Sequence, residues 1–310
     1  MHVSKNFGFS FSTDKSDIPL SDFFDSLITK DINFSLKTGN SRRIIIDSDD
    51  KFFYGVVITI KNQKSYASLI NDKGQVKVKI SDLADLEKIA EFNFLVINKL
   101  NGFGLYQYHY GACTLSNFAS MITSLYRRDL EVKRKAELDS LPGDAPEKQK
   151  KAINSRFFRG LAFDVLVQAR DIEKVLEKYK EIRSFKYEVA SVEAHLSDDS
   201  PFYGMVSKAR HHVSFDSTVD SNLIIKGIQG MMSTVKDRSA RVEVLDDEDE
   251  PFSVRLMDVP INFGETQYDS FMKGLATLDS ADIKGCGLIK ALVDKCETEY
   301  AHVFSKKVAY

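Results

Sequence analysis

The sequence predicts an α+β fold in two domains, and three observations carry that expectation. Through the first third of the chain apolar residues alternate with polar ones in short runs, the pattern of half-buried strands. Asn101-Gly102 stands between two apolar runs, a hairpin signal because a tight reversal needs residues that tolerate positive φ. The last half orders its elements β-α-β-β-α-β, the succession of a ferredoxin-like split βαβ unit with two helices on one sheet face. A chain of 310 residues, 43% hydrophobic and 28% charged with mean hydropathy −0.24, exceeds one ordinary core and has the apolar material for two.

In chain order, Phe7, Phe9 and Phe11 predict a first strand, and Phe23, Phe24, Leu27 and Ile28 fall at helical spacing over 20–30. Strands follow at 43–47 and 51–60, the second apolar on both faces and therefore central. Leu83, Leu86, Ile89 and Ala90 predict a short helix over 81–91, and the hairpin of 92–98 and 103–110 comes next. Thr114 or Ser116 can cap a helix carrying Leu115, Phe118, Met121, Ile122 and Leu125, which closes an N-terminal mixed-sheet domain at 1–126. Residues 127–155 read as a basic interdomain linker, because they are dense in charge and because 141–146, Leu-Pro-Gly-Asp-Ala-Pro, cannot continue a helix.

The second domain, 156–310, opens with a strand at 161–167 and a helix over 170–183 bearing Ile172, Val175, Leu176, Tyr179 and Ile182. Strands are expected at 187–196 and 205–215, then a helix over 218–236 aligning Ile224, Ile228, Met231, Met232 and Val235, then a strand at 241–245. The acidic turn 246–251 leads into a strand at 252–257, an extra hairpin. A closing helix over 287–304 lines up Ile289, Leu292, Val293, Cys296, Tyr300 and Val303, a stripe that must dock on its own domain or on a second copy of the chain.

Several classes of chemistry find no support. The cysteines Cys113, Cys286 and Cys296 form no CxxC pair and no even disulfide framework, which suits small core residues in a reducing compartment. None of His2, His109, His195, His211, His212 and His302 stands in HxH or HExxH spacing, so no metal or other cofactor is expected. Adjacent on a strand, His211 and His212 point to opposite faces, one packed and one solvated. Asn101-Gly102-Phe103-Gly104 is followed by a strand rather than a helix N-terminus, so it is no phosphate loop. The carboxylates of 246–250 sit in a solvated turn, and no serine elbow exists. Alternating residues 1–10 do not read as a signal peptide, and no apolar run is long enough to span a bilayer, so a cytoplasmic, non-catalytic protein is expected.

A formal charge of −2 gives no global reason to bind nucleic acid, so such binding must come from local clusters. Residues 127–135 hold five basic against two acidic side chains, with Arg127, Arg128, Lys133 and Arg134 as candidates. Residues 147–159 hold five against one, with Lys150, Lys151, Arg156 and Arg159 as candidates and Phe157 and Phe158 between the two arginines. Period-two alternation puts Lys208, Arg210 and His212 on one strand face, and Lys226, Lys236, Arg238 and Arg241 add a third local excess. No helix-turn-helix or zinc finger is evident, so sequence-independent binding to duplex DNA is the reading, with no small-molecule substrate. A protein-interaction adaptor and a metal-dependent nuclease are the alternatives.

The strand Asn93-Phe94-Leu95-Val96-Ile97, then Gly102-Phe103-Gly104, the aromatic strand ending at Tyr110-Gly111 and the helix start Thr114-Leu115-Ser116-Asn117-Phe118 together resemble the corresponding stretch of the RexA-like phage-exclusion proteins. The opening Asn6-Phe7-Gly8-Phe9 and the helix Leu20-Ser21-Asp22-Phe23-Phe24-Asp25-Ser26-Leu27 are similar too, with weaker similarity near 165–176 and 241–256. The resemblance implies a homodimeric DNA-binding protein of phage exclusion or anti-phage defence, with a membrane-protein partner; the KwaB-like defence proteins are a neighbouring family. Where that family places basic residues on the late hairpin, this chain has Glu243 and Leu245 leading into an acidic turn, which moves the expected contact surface to the strand, helix and linker cations.

Overall fold

A computed structural model describes residues 3–13, 18–72, 75–85, 87–142, 145–157, 160–168, 172–188, 209–232, 235, 240–246, 249, 251–257 and 262–305. The fold is α+β, as expected, and its centre is one large mixed sheet with helices on both faces. Among the described residues no helix is long and apolar enough to cross a membrane.

The first strand, β1 (Val3–Thr13), lies in the middle of that sheet. On one side it pairs antiparallel with β8 (Phe103–Tyr108), and outward from β8 run β7 (Ala90–Asn98), β4 (Phe52–Ile60), β3 (Ser41–Ser48) and the edge strand β2 (Ile32–Ser35). On its other side β1 pairs with β9 (Leu161–Gln168), followed by β13 (Pro251–Met257), β12 (Arg241–Leu245), β10 (Glu181–Glu188) and β11 (Arg210–Ser214). A short strand, β14 (Glu265–Gln267), adds to the start of β1. The expected hairpin is present, and of its two reversal residues only Gly102 has positive φ, +71°. A Cβ there would meet the Phe11 carbonyl oxygen at 2.1 Å, so the turn needs glycine twice over.

Two aromatic-rich cores sandwich the half of the sheet built from the first third of the chain. On one face α1 (Leu20–Ile28) and α2 (Leu115–Asp139) bury Phe23, Phe24, Phe118, Ile122 and Tyr126 against Phe9, Phe11, Ile44 and Tyr106. On the other, α6 (Tyr268–Leu275), a 3-10 turn at Ile283–Gly285, α7 (Gly287–Glu297) and α8 (Ala301–Phe304) bury Phe271, Leu288, Ile289, Leu292 and Phe304 against Tyr54, Val56, Phe94, Val96 and Leu105. A third core sets α4 (Ile172–Leu176) and α5 (Ser221–Met231) on β10, β12 and β13, and Phe163 touches both it and the first. Helices α1, α2, α4 and α5 therefore share one face of the sheet, and α6 to α8 cover the other.

This arrangement corrects the expected division at 127–155. The closing apolar stripe docks on strands of the first third, with the Asn101 side-chain amide donating to the Phe304 carbonyl at 2.7 Å, and β9 pairs directly with β1. Nor are 127–155 a linker: α2 continues to Asp139 with Leu130 in the core, and α3 (Glu147–Arg156) follows. The charges lie on the solvent side of α2 and so do not break it, and the prolines bound the two helices, Pro146 leading directly into α3 with φ −59°.

The order β9-α4-β10-β11-α5-β12 is observed, but the ferredoxin-like pairing is not. A split βαβ has one strand between its two parallel strands, whereas both β13 and β12 separate β9 from β10. The strand read as an extra hairpin, β13, inserts beside β9 in parallel register. Among the described residues of the helix expected over 170–183 only α4 is helical, Ile182 belonging to β10, and the parts expected as strand at 189–196 and 205–208 lie outside the described residues. Among the described residues of 81–91 no helix forms. Those residues leave a hairpin of β5 (Ser65–Asp72) and β6 (Gln75–Asp82), a separate two-stranded sheet, and Ile89 already accepts a backbone bond from Lys61; Leu86 lies outside the described residues. All three cysteines are buried core residues, and burial pushes the Cys113 and Cys296 thiols up.

Candidate nucleic-acid interface

Helix α2 starts where Thr114 accepts the Asn117 backbone N–H at 3.2 Å, and its first three turns are held by the core, the Tyr126 hydroxyl donating to the Ile18 carbonyl. Beyond Tyr126 the helix leaves the sheet, with Leu130 its last buried side chain. The core no longer dictates residue type there, so the surface fills with charge.

Helix α3 returns alongside it. Phe157, just past its end, is 7% exposed and belongs to the first core, and Ile153 packs against the same cluster. Arg134 donates from Nη1 to the Asn154 side-chain oxygen at 2.8 Å, and Arg156 is hydrogen-bonded to Glu137. These contacts bring the two expected basic clusters, 127–135 and 147–159, together on one helical hairpin.

Some of their cations are consumed locally. Arg134 forks onto Glu131 at 2.8 and 2.6 Å, with Lys135 at 3.7 Å from the same carboxylate. The Arg134 hydrogen bond holds the Glu131 carboxyl below its usual range and the guanidinium above its own. Lys150 pairs with Glu147 at 3.2 Å. Arg127, Arg128, Lys133, Lys148 and Lys151 are exposed, and among the described residues none has a carboxylate within ion-pair distance. Lys148 was not singled out in the sequence, although it lies in the basic run. Phe157 is a packing residue under the Arg156 guanidinium, 5.4 Å from its ring centroid, and Phe158 and Arg159 lie outside the described residues.

The cations of the last half behave differently. Lys208, Lys236 and Arg238 lie outside the described residues. Arg241 and Arg255 converge on Asp164 at 2.9 and 2.7 Å, and the Ser10 hydroxyl donates to the same carboxylate at 3.3 Å. Burial pushes the Asp164 carboxyl up, against the pull of Arg241 and of hydrogen bonds from Ser253 and Ser10. Lys186 is paired with Glu243, which also accepts from Ser184 at 2.7 Å, and Arg210 reaches Glu188 at 3.4 Å. His212 is exposed on β11, and His211, on the other face of the strand, is stacked on Tyr187 with centroids 5.1 Å apart although it too is exposed.

The described cations of the last half therefore do not join the α2–α3 surface. Arg241 and Arg255 alternate with Val242 and Val254 of the α4–α5 core, and Arg210 with Val213, which stands opposite the core residue Phe185, so the three arginines lie on the opposite sheet face from α2. Strand β11 is also four strands out from β9, about 19 Å at the usual spacing of about 4.8 Å. Lys226, exposed on α5, is on the α2 side but over the far strands. Among the described residues no group of three or more His, Cys, Asp or Glu is placed to hold a metal ion. In comparison with known proteins, the chain matches no family model and no curated sequence.

Proposed function

We propose that this chain is a non-catalytic, cytoplasmic protein that binds the phosphate backbone of double-stranded DNA through the α2–α3 hairpin, as a homodimer, in phage exclusion or anti-phage defence. The observation that supports the DNA reading is the convergence of two basic runs on one hairpin with Arg127, Arg128, Lys133, Lys148 and Lys151 exposed and without a carboxylate partner among the described residues. Such cations can release condensed counterions, and nothing about that requires base readout. The defence role and a membrane-protein partner rest on the resemblance of residues 92–125 described above.

Fluorescence anisotropy on short duplexes of unrelated sequence tests the DNA reading. With five phosphate contacts, the logarithm of affinity should fall with the logarithm of salt with a slope of about −4 to −5. The Arg127→Glu/Arg128→Glu/Lys148→Glu/Lys151→Glu variant should lose binding, while Arg210→Ala should keep it. Failure to bind even at about 50 mM salt, or binding indifferent to the four reversals, ends this reading.

A second reading, a protein-interaction adaptor, is favoured by the β5–β6 ribbon. Leu69 and Val78 face each other across it and Ile80 lies on the same side, exposed by 72, 66 and 62%, an apolar face that a two-stranded ribbon would not keep in water without use. Loss of a captured protein on Leu69→Asp/Ile80→Asp, with no DNA binding by the parent chain, would select it.

A further inference from the structure

Helix α5 buries Ile224, Ile225 and Ile228 and turns the opposite stripe to solvent. That stripe holds Leu223, 64% exposed, and, four and seven residues on, Gly227 and Gly230. Glycine is the poorest helix residue after proline, and a Cβ at either position would have nothing within 4 Å, so the chain's own packing gives no reason for them. Val219, just before the Asp220 cap, is 44% exposed. Val213, 39% exposed on the neighbouring edge strand, stands on the same side of the sheet, opposite Phe185 in register. The C-terminal helix, the other stripe that could have joined two copies, is covered by the chain's own sheet.

We infer that the exposed face of α5 is the surface on which a second copy of this chain docks, the two α5 helices running antiparallel about a two-fold axis near Leu223. In such an isologous contact each patch must complement itself. Centring on Leu223 does so: the partner's Val219 comes level with Gly227, where the missing side chain leaves room. Lys226, exposed and without a carboxylate partner among the described residues, comes level with the partner's Asp220. Other antiparallel centres lose this match of charge; one on Lys226 would set the two lysines against each other. The inference names the surface of the homodimer proposed above and so rests on that part of the reading, but its test reads mass and not DNA.

The native cysteines are 0, 0 and 1% exposed, so an introduced surface thiol reports alone. Leu223→Cys in the full chain, oxidised without DNA, should give a covalently linked dimer well before Leu100→Cys, a control on the β7–β8 loop that is 54% exposed against 64%. Adding Gly227→Trp, which the protomer has room for, should suppress the cross-link. Lys226→Glu, and Asp220→Asn, which keeps a side-chain oxygen to cap the Asn222 N–H, should each weaken the dimer seen by sedimentation. Cross-linking at Leu223→Cys no faster than at the control, or unaffected by Gly227→Trp, overturns the inference. If the cross-link fails while salt-dependent DNA binding persists, only the dimer surface falls; if the cross-link forms and DNA does not bind, only the DNA reading falls.

Discussion

The α2–α3 hairpin and the polar face of β9, β10, β12 and β13 both gather basic side chains, and they use them in opposite ways. On the hairpin Arg127, Arg128, Lys133, Lys148 and Lys151 stand in water, and the ion pairs that form, such as Arg134 with Glu131, are between partly exposed groups, 29 and 45%. On the sheet face Arg255 is 4% exposed and Asp164 1%, and Arg255, Arg241 and Lys186 each meet a carboxylate. A cation that stabilises a fold by neutralising a buried charge is not free for phosphate, whereas one at the edge of a helix beyond the core contributes little to folding and is available. Local density of lysine and arginine is the same signal in both places, so composition alone does not separate a binding surface from a structural ion-pair network.

The contrast can be broken most sharply at Asp164. Asp164→Ala leaves Arg255 buried beside Arg241 with no counter-charge, and should lower stability by about 3–5 kcal/mol, read as a shift in the urea midpoint. A shift no larger than that of a surface substitution would mean that the sheet-face cations are not structural.

Glu243→Gln tests the same face more gently. Burial raises the Glu243 carboxyl, but hydrogen bonds from Lys186 and Ser184 outweigh it and hold the folded value below the ordinary glutamate range. Its contribution is therefore full above about pH 4.3, the unfolded value, and is lost as pH falls through the lowered folded one. With the side chain 42% exposed, solvent screening leaves about 0.5–1 kcal/mol at neutral pH. Denaturation of the variant and the parent should differ at neutral pH and converge in acid; a gap that widens as pH falls would reverse the sign and the argument.

The smallest effect on folding belongs to the hairpin. Arg127→Ala and Lys151→Ala should each leave stability within about 0.5 kcal/mol, since neither touches a buried group. Each should nevertheless reduce the salt slope of DNA binding by about one. A variant that unfolds the protein, or a slope that does not change, would erase the distinction between the two regions.

Much of the local architecture was legible. Strand β12 has the bounds that its alternation predicts, Thr114, one of the two expected caps, begins its helix, and Asn101-Gly102 marks the reversal, because each of these depends on neighbours a few residues away. The β5–β6 ribbon was missed: it is paired by backbone bonds and buries little, so no core-facing stripe advertises it. The hairpin of α2 and α3 was missed as well, because a charged solvent face followed by proline and glycine reads as a break in the chain until a buried Leu130 and Phe157 are seen to anchor it.

By itself the sequence determined the α+β class, the amphipathic stripes and the burial of the cysteines, all of which follow from the period and polarity of adjacent residues. Only the tertiary structure decided that residues 262–304 fold back onto the first strands, that β13 enters the sheet beside β9, and which cations meet a carboxylate. Those outcomes rest on contacts such as Arg255 with Asp164 and Asn101 with Phe304, separated by 91 and 203 residues, and a pairing register over such distances is set by the packing of the whole sheet rather than by any local pattern.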